Sequence, residues 1–299
     1  MRILVTGKEG QVDTSLQVLG QKLGLEIIRI GLPEIDLSQP ESLEPPVREA
    51  RPDVIISSAA YTAVDKAETE TELAQKINGD APGVLARLAA ELDIPILHLS
   101  TDYVFAGDKA DAYTEADMPA PVSVYGKTKL SGETQIRAAT DNHVILRTAW
   151  VYSPYGNNFV KTMLRLGETR DEVSVVADQH GCPTYALEIA RALLAIAQQV
   201  VIDRDPTIRG TFHLTGQGET TWAEFATAIF KGAEKRGRKP VRVNPITTAD
   251  YPTPAKRPAN SRLNGDKLDD TFGLRLDPWP TSLDDCLDRL IGPKEEDPS

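Results

Sequence analysis

The sequence is poor in cysteine, in aromatic residues and in positive charge. Its two cysteines, Cys182 and Cys286, cannot build a disulfide framework, and neither has a metal-ligand spacing. They read as free thiols in a reducing compartment. Lys plus Arg number 33 against 44 for Asp plus Glu, a net charge of −11, which argues against wrapping nucleic acid by general electrostatics. No apolar run approaches the ~18 residues of a membrane span, and the apolar stretch in MRILVTGKEG is too short for a signal peptide. The expectation is a cytoplasmic protein with neither membrane nor nucleic acid as a partner. His98, His143, His180 and His213 are scattered without ligand spacing, so they suggest no metal site. What remains is a globular composition, 40% apolar and 26% charged over 299 residues, enough for one large α/β domain or about two lobes.

Short apolar runs alternate with helical patterns through the first half. Strands are expected at Ile3–Thr6, Glu26–Ile30, Val54–Ser57, Ile96–Ser100 and Val144–Thr148, with helices over Gln11–Leu23, Asn78–Leu92 and Ser123–Ala139. Continuously apolar strands separated by helices require a parallel sheet with right-handed crossovers. The expected fold is therefore α/β, a doubly wound, Rossmann-like parallel sheet over residues 1–150. A smaller C-terminal lobe should occupy 151–299, with some elements returning to the main sheet. In that lobe a helix opens at Gly156–Asn158 and runs to Glu168, and Glu172–Val176 fits a strand. Thr221 and Glu224 form a capping-box pattern. The proline-rich Pro245–Asn260 reads as an extended loop, Ser282–Ile291 as a last helix, and the polar tail KEEDPS as disordered.

Three local signals carry chemistry. In TGKEGQVD, directly after the first strand, Gly7 and Gly10 occupy two positions of a dinucleotide-binding fingerprint, where bare backbone lets a pyrophosphate approach a helix N-terminus. The third position, normally small, holds Asp13. The second strand ends in Arg29, the loop offers Lys8, and no carboxylate stands where an NAD ribose would want one, which favours the 2′-phosphate of NADP(H). In VYGKTKLSGE, Tyr125 and Lys129 share a helix face, so an ammonium can bring a phenol towards its working range. In LSTDYVF, Thr101 and Asp102 follow the fourth strand, where ligands bind in open parallel sheets.

Together with RPDVIISSAAYTAVDKAE, RTAWVY, GNNFVKTMLRL and YPTPAKRPANSRLN, these motifs resemble the dTDP-4-dehydrorhamnose reductases, a family of extended short-chain dehydrogenases/reductases, across nearly the whole chain. The resemblance implies that Gly10, Gln11 and Val12 meet the pyrophosphate, that Asp36 and Leu37 flank the adenine, and that Ala59, Ala60 and Tyr61 line the ribose and nicotinamide. It implies Tyr125 and Lys129 as the catalytic pair and Thr101 as the donor to the reacting oxygen. Asp102 and Trp150 would hold the sugar, Trp150 through its ring face, and Asn157, Asn158 and Lys161 would make further contacts from the lobe. The implied reaction is NADPH-dependent reduction of the C4 ketone of dTDP-4-dehydro-6-deoxy-L-mannose to dTDP-L-rhamnose, for cell-surface polysaccharide, with NADH open as a second cofactor. Some members bind Mg²⁺ through glutamates at a dimer interface. The matching position on the first helix is Ser15, so Mg²⁺ use stays open, as does a homodimer. Lys231–Arg242 reads as a solvated basic stretch, or in a second reading as a partner of the substrate diphosphate. Pro252–Ser261 either closes over the sugar-nucleotide pocket or is a structural crossover. Rival functions are reduction or epimerisation of another nucleotide sugar, and a non-catalytic NADP-binding regulatory subunit.

Overall fold

The structure, a computed structural model, describes residues 1–293; the tail KEEDPS lies outside the described residues. Six parallel strands form the central sheet. The first five are β1 (Arg2–Thr6), β2 (Glu26–Ile30), β3 (Val54–Ser57), β4 (Ile96–Thr101) and β5 (His143–Thr148). The sheet order runs from β2 through β1, β3, β4 and β5 to a sixth strand, Gly210–His213, which pairs in parallel with β5. The apolar runs of β1, β3, β4 and β5 are buried on both faces, successive side chains pointing to opposite sides, while the edge strand β2 is half-exposed. Ile3 and Val5 face one core cluster with Val54, Ile56, Val144 and Leu146, while Leu4, Ile55 and Ile145 between them face the other.

The first core cluster is roofed by the helices Gln11–Lys22 and Ala186–Ile202, which pack on each other. Ala186–Ile202 lies far along the chain, and Phe212 of the sixth strand joins the same cluster. The second cluster is roofed by Glu44–Ala50, Ala81–Glu91 and the long helix Val124–Ala139. Ser123 caps that long helix by accepting a hydrogen bond from the Gly126 N–H, 3.2 Å. A third cluster, around Tyr152, Val160, Phe225, Ile229 and Leu287, holds a separate lobe. Its helix Trp222–Glu234 starts at the expected capping box of Thr221 and Glu224. No helix among the described residues is long and apolar enough to cross a membrane.

One expectation for this lobe needs correction. Pro245–Asn260 is not loop throughout: its start belongs to the strand Arg242–Ile246, which pairs with Glu172–Val176. The basic stretch is a solvated helix end and loop, as expected, with Lys231, Lys235, Arg238, Lys239 and Arg242 exposed and Arg236 alone among its basic residues buried. The Arg236 guanidinium is buried among Asp284, Asp288 and the Gly232 and Gly292 carbonyls, while Lys239 pairs with Asp171 and Arg242 with Glu172. A cation taken from water needs such partners, and the C-terminal helix Trp279–Ile291 supplies them.

Candidate active site

In an open parallel sheet a ligand crevice forms where the strand order reverses, here between β1 and β3. Gly7 has φ +113°, a conformation suited to glycine, and its N–H donates to the Ile30 carbonyl at 2.7 Å, tying the turn to the end of β2. Gly10 caps the first helix with backbone alone. A Cβ on Gly10 would collide with the Asp13 carboxylate, which lies folded over the turn. Burial pushes the Asp13 carboxyl up, against the pull of neighbouring backbone amides and Arg29, and its Oδ2 has no hydrogen-bond partner among the described residues. Arg29 Nη1 donates to the Lys8 carbonyl at 2.8 Å, and the Lys8 ammonium pairs with Glu34. Asp36 accepts from the Ser38 N–H and hydroxyl at 2.9 and 2.7 Å, and Leu37 packs half-buried on the second core cluster.

The turn, with Arg29 and Lys8 at its rim, fits a dinucleotide phosphate; Asp13 is the misfit within it. Gln11 does more than border the turn. Its side chain accepts from Ser153 Oγ at 2.8 Å and Asn158 Nδ2 at 3.0 Å, and donates to the Val151 carbonyl at 3.3 Å. Asn158 also caps the helix Phe159–Thr169 by accepting from the Lys161 N–H, while Lys161 Nζ reaches the Pro154 carbonyl. Asn158 thus joins the lobes through Gln11, Lys161 is held within its own lobe, and Asn157 is exposed.

Across the crevice, the Ser58 and Ala59 amides donate to Thr6 Oγ1 at 3.1 and 3.2 Å. Asn78, fully buried in a π-helical turn (Lys76–Asp80), accepts from the Tyr61 N–H at 2.8 Å and donates to the Tyr61 carbonyl and Thr128 Oγ1. It fastens the segment Ala59–Tyr61 to the long helix. The sequence offered no motif at Asn78.

The third side is built by β4 and the long helix. Thr101 donates to Asp102 Oδ1 at 3.0 Å and accepts from the Tyr103 N–H at 3.2 Å. The Tyr103 ring meets the Tyr125 ring edge-on, centroids 5.4 Å apart. Tyr125 and Lys129 share a helix face as expected, but the ammonium does not lower the phenol pKa here. Lys129 Nζ donates to the Leu99 carbonyl at 2.7 Å and contacts His98 Nε2 at 3.2 Å. Burial, with the charge of Asp102, pushes the Tyr125 phenol up despite a Thr101 hydrogen bond. Burial lowers Lys129 to about 8, against the pull of Glu133.

Burial likewise raises Asp102 to about 6 from 3.8, against hydrogen bonds from Ser261, Thr101 and backbone amides. A carboxyl with a raised folded-state pKa costs stability once ionised: nothing below pH 3.8, rising to the full penalty above about 6. Asp102→Asn should therefore stabilise the protein above that range by on the order of 2 kcal/mol while lowering turnover. Urea unfolding at both ends of the pH range checks it; equal effects at both ends would refute the assignment.

Beside Tyr103 opens a cleft of about 430 Å³ lined by Phe159, Met163, Trp222, Tyr251 and Arg257. Arg257 links the lobes: it donates to Asp65 Oδ2 at 2.7 Å and to Tyr103 Oη at 3.2 Å. The segment Pro252–Ser261 thus both borders the cleft and crosses between lobes. Trp150, at φ +49°, stacks on Trp222 with centroids 3.6 Å apart, so one ring face is covered by protein. Trp222 was not foreseen; Asp65 and Arg257 lie in motifs singled out in the sequence, though neither was given a role there. Ser15 donates to the Gln11 carbonyl and brings no carboxylate, and among the described residues no cluster of three metal-binding side chains occurs.

A dinucleotide crevice beside a phenol and an ammonium is the plan of the extended short-chain dehydrogenases/reductases, and the fold places this protein among them. A family model described as the RmlD substrate binding domain matches residues 1–291. A dTDP-4-dehydrorhamnose reductase of Sinorhizobium fredii is 49% identical over 94% of this chain and 95% of its own. The crystal structure of a dTDP-4-dehydrorhamnose reductase from Clostridium acetobutylicum superposes with a TM-score of 0.90 at 40% identity, covering 97% of this chain and 99% of that one. The Bacillus anthracis reductase, solved in complex with NADP, gives 0.89 at 35% identity over 96% and 98%. The chain belongs to the dTDP-4-dehydrorhamnose reductase family.

Proposed function

We propose that the protein reduces the C4 ketone of dTDP-4-dehydro-6-deoxy-L-mannose to dTDP-L-rhamnose with NADPH. The observation that carries this is the convergence of Thr101, Tyr125 and Lys129 at the carboxyl end of β4 in a chain 49% identical to a named reductase. Bound NADPH supplies the hydride that adds to the C4 carbon. Thr101 donates a hydrogen bond to the ketone oxygen, and Tyr125 gives its proton to the alkoxide as it develops. The high phenol pKa keeps that proton in place until the alkoxide forms. Lys129 supplies positive charge beside the transfer and holds ribose hydroxyls. Asp102 and Trp150 orient the sugar, and the cleft next to Tyr103 takes the nucleotide. Arg29 and Lys8 meet the 2′-phosphate. The dTDP-sugar substrate is the partner, and a cytoplasmic homodimer completes the proposal.

The test is purified protein with NADPH and the dTDP-keto sugar, followed by absorbance and product analysis. Oxidation of NADPH with formation of dTDP-L-rhamnose is expected; no oxidation would sink the proposal, as would turnover only with a different sugar nucleotide.

A further prediction concerns Asp13. A carboxylate at a helix N-terminus competes with a pyrophosphate for the same positive end. Asp13→Gly should tighten NADPH by about 1 kcal/mol on the scale of helix-terminus charge effects. Calorimetric titration at low and high salt checks this. Weaker binding by the glycine variant would mean that the carboxylate supports the turn.

A further inference from the structure

His98 lies fully buried in the middle of β4, where a histidine flanked by leucines reads as a core residue. Its contacts are more specific than that. Nε2 is 3.2 Å from Lys129 Nζ, and Nδ1 is 3.0 Å from Ser57 Oγ on the neighbouring β3. An ammonium has donors only, so Nε2 must accept and the imidazole proton must sit on Nδ1, donating to Ser57. The strand pairing sets this chain of contacts, since Ser57 and His98 are register partners.

We propose that His98 is a positioning residue for the reduction, a neutral imidazole held in the Nδ1–H tautomer by Ser57 that accepts from Lys129 and keeps its ammonium in place beside Tyr125. The inference rests on the reductive role of Lys129 proposed above. Lys129 has three N–H donors, and β4 takes two of them, through the Leu99 carbonyl and His98. The third is left for the crevice. Without the imidazole acceptor, a buried ammonium loses the contact that offsets its desolvation.

The other charged groups around Lys129 do not replace His98. Glu133, one turn along the same helix, favours the ammonium but is bound by Arg147 of β5 and by Ser100 of β4. Asp102 and Tyr103, in the turn after β4, act on Tyr125. Two cations in this contact would repel each other. Burial and the charge of Lys129 accordingly hold the imidazole well below its usual pKa.

The experiment compares wild type with His98→Leu, His98→Asn and Ser57→Ala in kcat–pH profiles, KM for NADPH and thermal unfolding. Wild-type turnover tests the proposed reaction by itself. Given turnover, ammonium loss should cut kcat as pH rises, and His98→Leu should move that limb to lower pH by about one unit, with a loss at neutral pH on the order of tenfold. His98→Asn, which keeps an acceptor, should restore most of the shift, and Ser57→Ala should show a smaller one. In wild type, ¹⁵N spectra of the imidazole should show the Nδ1–H tautomer. An Nε2–H tautomer overturns the proposal. So does a limb that stays fixed in both Ser57→Ala and any folded His98→Leu. Were His98→Leu not to fold, the Ser57→Ala limb and the wild-type tautomer would decide alone.

Discussion

Tyr125→Phe should lower turnover by roughly 10²–10⁴-fold, the range for loss of a general acid, and leave NADPH affinity unchanged. The ring is kept, so its edge-on contact with Tyr103 survives. Only the phenol proton goes, together with the hydroxyl that meets Thr101. Lys129 is held independently by β4 and still reaches the crevice. Stopped-flow turnover and fluorescence titration of NADPH separate the two quantities. Parallel loss of binding and turnover would make Tyr125 structural.

The largest stability effect is expected at Glu133, whose side chain is 0% exposed. Arg147 grips it with two bonds, Nε to Oε1 at 2.9 Å and Nη2 to Oε2 at 2.7 Å, and Ser100 donates to Oε1 at 2.6 Å. Burial opposes the Glu133 charge, but the bonds and charge of Arg147, with the Ser100 hydrogen bond, outweigh it and hold the carboxyl below its ordinary value of 4.5. A depressed carboxyl pKa stabilises above 4.5, and that contribution is lost as pH falls through the folded-state value. Glu133→Leu leaves a buried guanidinium unpaired and should cost about 3–5 kcal/mol at neutral pH. Pairing it with Arg147→Met should recover most of that loss, because desolvating neither charge is close to neutral. Urea midpoints of the two single variants and the double variant test this. A double variant as unstable as the sum of the two single variants would show no coupling between Glu133 and Arg147 and would overturn the assignment.

Both predictions draw on features of different legibility. Tyr125 and Lys129 were legible because four residues on a helix make one face, whatever surrounds it. Thr101 was legible because it ends an apolar strand at the sheet edge where ligands bind. Glu133 carried no signal: a glutamate in LSGETQ reads as a solvated helix position, and its partner Arg147 lies on another element. Trp150 shows the same divide. Its sequence context in RTAWVY marked it, yet the stacking of Trp222 on its ring follows from how the lobe packs.

Near neighbours along the chain were enough to fix the alternating strands and helices, the glycine turn, the helix caps and the spacing of Tyr125 and Lys129. These are set by backbone sterics and by the periods of strand and helix, which act over a few residues. The tertiary structure alone decided which distant groups meet. Gln11 reaches Asn158 across 147 positions, and Asp65 reaches Arg257 across 192. His98 faces Lys129 only because β4 lies under the long helix. Such contacts leave no periodic trace, since packing of whole elements selects them and any polar pair of the right reach satisfies the same burial requirement.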